Sequence, residues 1–146
     1  FAQAMGLDRL DSAQIRQVAW LWRSGIAATD WRGKRVLAMA PVSHPIPWVL
    51  ALLGANVVFQ EPALPPTLGT LNRGLRTQVE ASTQVVPGME CAIVLRDSEP
   101  ISDALKPGAV VFIAGRGAAA AWYEAPGIVA PTGGLGDADA AVLLRG

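Results

Sequence analysis

Residues 35–62, RVLAMAPVSHPIPWVLALLGANVVFQEP, leave the chain little choice of fold. RVLAMA (35–40) is a short apolar run with the length of a strand, and NVVFQ (56–60) is a second. Between them IPWVLALL (46–53) reads as a helix, with Pro47 tolerable in its first turn and Gly54 at its end. About 20 residues separate the two strand centres. A strand, a helix and a second strand in that space make a tight crossover between parallel strands. The turn after the first strand holds Pro41, Ser43, His44 and Pro45. Their side chains stand where a glycine loop would let the backbone wrap a pyrophosphate, so this turn is no phosphate cradle.

The rest of the chain extends the pattern. DSAQIRQVAWLWRSGIAA (11–28) reads as a helix capped by Asp11 or Ser12, with Ile15, Val18, Ala19 and Trp22 on one face and Gly25 as its stop. RTQVEA (76–81), CAIVLRD (91–97) and AVVFIAG (109–115) read as strands, and ISDAL (101–105) as at most two helical turns. Unbroken apolar runs suit a parallel sheet covered on both faces. Residues 115–136 are rich in glycine, alanine and proline and read as loop; DADAAVLL begins a helix capped at Asp137. The expectation is an α/β chain: an N-terminal helical segment over 1–32, then a Rossmann-like three-layer domain over 33–146 with a mostly parallel sheet of about five strands.

Bulk chemistry narrows the partners. Twelve basic residues cancel twelve acidic ones, which argues against a nucleic-acid surface. No apolar run approaches the ~20 residues needed to span a bilayer, and the opening segment does not read as a signal peptide. The start at Phe1 suits a fragment or a processed piece. Cys91 is the only cysteine, so no internal disulfide forms, which suits a reducing, cytoplasmic setting. One histidine, His44, and one cysteine exclude a conventional zinc site, and no metal is expected.

Three elements in order carry a resemblance to a known family. They are Gly33 with Arg35, Val36 and Leu37, then Pro45 in the turn, then Leu50, Leu53, Gly54, Ala55 and Val57 leading to Glu61 and Pro62; LNRGLRTQV, with Asn72, Arg73, Gly74 and Arg76; and LKPGAVVFIAGRG. Together they resemble the large domain of the family III CoA transferases, which include formyl-CoA and carnitine-CoA transferases and the alpha-methylacyl-CoA racemases. The resemblance implies coenzyme A as ligand, an acyl-CoA and a carboxylic acid as substrates, and a second chain or a homo-oligomer. It implies that Asn72, Arg73 and Arg76 meet the CoA phosphates, since arginine forks match phosphate oxygens. Glu61 at the end of a strand suits a ribose hydroxyl, and Pro45 offers apolar surface to the adenine or pantetheine. The family's aspartate forms a mixed anhydride with the acyl group and then yields a CoA thioester; WYEAPGIVAPTGGLGDADAA puts that role on Asp137. Each assignment has a plainer counterpart: Asp137 as a helix cap, the two arginines as solvated cations, Glu61 as a surface residue before proline. The family's chains are longer and carry a small domain that this sequence does not.

Two other readings stand beside it. One is a non-catalytic partner subunit or truncated homologue of such an enzyme. The other is a degenerate methyltransferase-like domain, because RVLAMA…LLGANVVFQE…LKPGAVVFIAG also resembles the class I S-adenosylmethionine enzymes. That family's first loop has glycines where this chain has Ala40, Val42 and His44.

Overall fold

The computed structural model describes residues 12–42, 44–64, 78–84, 86–96, 99–114, 118–129 and 140–146. The chain enters through helix α1 (Ser12–Leu21), which widens into a π turn over Trp22–Ile26. Gly25, the expected stop, breaks the helix with φ 157°. The Thr29 hydroxyl then donates to the Gly25 carbonyl (2.8 Å), and Trp31 Nε1 donates to that of Ile26 (2.8 Å). These bonds add to the backbone donors that the same carbonyls accept, Ala28 N on Gly25 (3.2 Å) and Thr29 N on Ile26 (3.3 Å), and fix the chain where it turns toward the sheet.

The expected crossover unit forms. Strand β1 is Arg35–Met39, helix α2 is Pro45–Leu52 and strand β2 is Asn56–Phe59, which pairs parallel to β1. Gly54, with φ 102°, lets the chain reverse after α2, and its carbonyl accepts from Gly33 N at 2.9 Å. Beyond it come β3 (Val79–Ala81), β4 (Met89–Val94), a 3-10 turn (Ser102–Ala104) and β5 (Leu105–Ala114). Helix α3 (Ala118–Tyr123), β6 (Ile128–Val129) and β7 (Ala140–Arg145) follow.

Among the described residues seven strands form one mixed sheet in the order β3-β2-β1-β4-β5-β7-β6. The first five are parallel; β7 runs antiparallel to both β5 and β6. The architecture is therefore α/β with a mostly parallel sheet, of seven strands rather than about five. Two expectations at the C-terminal end are corrected. Residues 115–136 were expected as loop, yet the alanine run forms α3 and Ile128–Val129 form β6. DADAAVLL was expected to open a helix, yet Ala140–Arg145 is a strand, paired from Ala114↔Ala140 to Val110↔Leu144. The apolar strip along β5 offers β7 more burial than a helix on the surface would.

Alternation along the strands splits the core in two. Val36, Ala38, Val57, Phe59, Cys91, Ile93 and Phe112 face one side, where Leu21, Ile26 and Trp31 and the α2 residues Ile46, Trp48 and Leu50 cover them. Leu37, Met39, Val58, Ala92, Val94, Val111 and Ile113 face the other, packed with Ala104, Ala119 and Trp122. Cys91 is buried, and burial pushes its thiol pKa up, away from reactivity. Among the described residues no helix is long and apolar enough to cross a membrane.

Candidate functional site

The site that the topology positions is the C-terminal edge of β1. The chain leaves β1 toward β2 through α2 on one face, and leaves β4 toward β5 through the 3-10 turn on the other. Where neighbouring connections part in this way a crevice opens beyond the strand ends, and ligands of α/β sheets bind there. Three groups border it: the β1–α2 turn, Glu61 after β2 and Arg96 after β4.

The two ends of the turn, Ala40 and His44, are buried, while Pro41 is exposed and Val42 half-buried. Ala40 is fully buried. Trp48 Nε1 donates to the Val42 carbonyl at 2.7 Å, and the indole stacks at a tilt on Phe59, with ring centroids 5.3 Å apart. His44 is the N-cap of α2: its Nδ1 accepts from Ile46 N at 3.3 Å. Accepting there requires the neutral imidazole, and burial lowers the His44 pKa to about 4, which keeps it neutral.

A helix normally leaves its first four N–H groups open, and these attract anions. Here the count comes to nothing. His44 N donates to the Pro41 carbonyl at 2.9 Å. Pro45 and Pro47 have no N–H. Ile46 N is taken by the His44 ring. Pro45 is buried at the first helical position.

Glu61 sits two residues beyond β2, at the strand end where an acidic side chain suits a ribose. It is already engaged. Arg96, two residues beyond β4, pairs with Glu61 Oε1 through Nη1, and its Nη2 donates to the Gln60 carbonyl at 3.1 Å. Because β1 lies between β2 and β4, the pair crosses over the end of β1. Arg96 was missed in the sequence; its place just past an apolar strand was the available signal.

Asp137, Asn72, Arg73 and Arg76 lie outside the described residues. Among the described residues no group of three or more His, Cys, Asp or Glu side chains is placed to hold a metal ion. A shallow depression of about 180 Å³, bordered by Arg35, Asn56, Gln78 and Glu80, lies at the opposite edge, by the N-terminal ends of β1–β3. It is separate from the crevice. No protein-family model matches the chain, and no curated protein matches it.

Proposed function

We propose that the chain is a Rossmann-like, three-layer domain of the class I S-adenosylmethionine type whose cofactor crevice is closed, serving as a non-catalytic module beside a second protein chain. The β3-β2-β1-β4-β5 order supports the fold part, being the order of doubly wound sheets. The single observation that carries the non-catalytic part is the N-terminus of α2, where no backbone N–H remains to meet a ligand. Coenzyme A, with its phosphates, gains nothing from such a terminus.

Calorimetry tests the reading. The purified chain should take up neither S-adenosylmethionine nor coenzyme A at micromolar concentration, and light scattering should give a mass above that of one chain or reveal a co-purifying protein. Micromolar binding of coenzyme A would restore the transferase reading and make Asp137→Ala the next variant. Binding of S-adenosylmethionine would make the domain a working cofactor site.

A further inference from the structure

The depression at the N-terminal ends of β1–β3 is bordered by two opposite charges, Arg35 and Glu80, and among the described residues neither has an ion-pair partner. Strand register puts both on one face of the sheet. Arg35 pairs with Asn56, and two residues along β2 Val58 pairs with Glu80. Val58 packs in the second core cluster, which fixes the face. Helix α3, on that same face, packs on β5, β6 and β7 at the other end of the sheet. Gln78 adds a polar wall: its Nε2 donates to the Ala55 carbonyl at 3.3 Å, which leaves its Oε1 as an acceptor. Two strand spacings and two residues of rise separate Arg35 from Glu80, about 12 Å between their backbones. The guanidinium leans the other way, with Nη1 only 3.1 Å from where a Cβ on Gly88 would stand, beside β4. Lys106 reaches the same spot but is engaged by Glu90 at 3.7 Å. The two charges therefore share one depression without meeting.

We propose that this depression is a binding site for a short, unbranched amino acid whose ammonium and carboxylate sit at opposite ends of the chain. The carboxylate meets the Arg35 fork, whose planar donors match its two oxygens. The ammonium meets the Glu80 carboxylate, and the methylenes between them cross Val58. A volume of about 180 Å³ lies below the ~300–1,000 Å³ of sites for drug-sized ligands, so the occupant is small. An α-amino acid carries its two charges too close together to reach both side chains. A simple acid is repelled by Glu80 and a simple amine by Arg35. The depression is separate from the crevice beyond β1, so this inference goes beyond the function proposed above and does not depend on it.

The probe is 5-aminopentanoate, titrated into the isotope-labelled full chain while backbone amide resonances are followed by NMR. It should bind with a Kd in the millimolar range, as a ligand so small must, and move the amides of Val57, Val58, Val79 and Glu80. Pentanoate and 1-aminopentane each lack one charge, and 2-aminopentanoate has the same atoms with its charges adjacent. Each should bind at least about two- to fivefold more weakly, the worth of one exposed ion pair. Glu80→Gln should weaken 5-aminopentanoate by a similar factor and leave pentanoate no weaker. Arg35→Gln should weaken 5-aminopentanoate and leave 1-aminopentane no weaker. Glu80 is exposed, so Glu80→Gln carries the test alone should Arg35→Gln fail to fold. The proposal is overturned by amides on β2 and β3 that stay still at tens of millimolar probe, by equal Kd values for the four probes, or by a Glu80→Gln chain that binds 5-aminopentanoate as the unmutated chain does. None of these outcomes bears on the crevice.

Discussion

A proton on His44 breaks the first turn of α2. The neutral ring accepts from Ile46 N through Nδ1, and a protonated Nδ1 has no lone pair to offer. In the folded chain burial holds the His44 pKa at about 4, whereas in the unfolded chain it sits near the ordinary ~6.5. Between those values the unfolded chain binds the proton and the folded chain does not. Stability therefore rises with pH across that window: it is fully present above about 6.5 and lost as pH falls toward 4. The loss amounts to roughly 3 kcal/mol. Carboxylates titrate in the same region, so the useful quantity is a difference. His44→Asn keeps an N-cap acceptor but no titrating ring. The gap between its urea midpoint and that of the unmutated chain should shift in favour of the variant as pH drops from 7 to 4.5; a constant gap would remove His44 from the account. Two glycines give a second comparison. Gly33 (φ 73°) and Gly54 (φ 102°) both adopt left-handed backbone, but a methyl at Gly33 meets nothing within 4 Å, whereas one at Gly54 comes 3.1 Å from the Arg32 Cα. Gly33→Ala should cost about 1 kcal/mol and Gly54→Ala measurably more, read from urea midpoints.

At the level of elements, β7 is the strand whose formation depends most on distant residues. Its side chains alternate as the pleat demands: Ala141 and Leu143 are buried, Leu144 is 38% exposed. Leu143→Ala should cost about 2–5 kcal/mol, while Leu144→Ser should stay within ~0.5 kcal/mol in the isolated chain; equal costs would place the strand in a different register. The same strand marks what could be read from the sequence. The unit from β1 to β2 was legible within a residue or so of its ends, because its signals are local: apolar runs, prolines in a first helical turn, a glycine after the last. β7 was not, because AAVLL has the alanine content of a helix and becomes a strand only against β5. β5 itself starts at Leu105, ahead of the expected 109, since the ladder skips from Met89↔Leu105 to Cys91↔Val110 and absorbs Pro107 and Gly108 on the way. A proline and glycine inside a strand read as its boundary unless a bulge is known to be there. At the site, Glu61 was legible by its position, but its engagement by Arg96, 35 residues on, was not, because ion pairs between loops leave no periodic trace.

For the whole molecule the question is whether residues before β1 are an appendage or part of the fold. The sequence divides the chain at residue 32, since the helical pattern ends there and the strand pattern begins. The packing joins what that division separates. Leu21 and Ile26 are fully buried and Trp31 is 2% exposed, all in the cluster that covers β1, β4 and β5. Trp31 and Phe112 hold their rings 6.3 Å apart at 53°, and a Cβ at Gly25 would come within 3.1 Å of the Phe112 ring. Burying three such side chains contributes roughly 6 kcal/mol in transfer free energy. A domain of this size has only ~5–15 kcal/mol of net stability. A chain of residues 33–146 should therefore lose most of its native population. Near-UV circular dichroism, reporting Trp48 and Trp122 in their packed settings, should collapse toward the unfolded baseline, while the full chain unfolds in urea as one transition in which near-UV and far-UV signals coincide. Gly25→Val is the graded version, because it forces a branched side chain against Phe112 without removing any contact: the single transition should persist with a lower midpoint. Two separate transitions in the full chain, or native near-UV signal from 33–146 alone, would make residues 12–31 an appendage despite their burial.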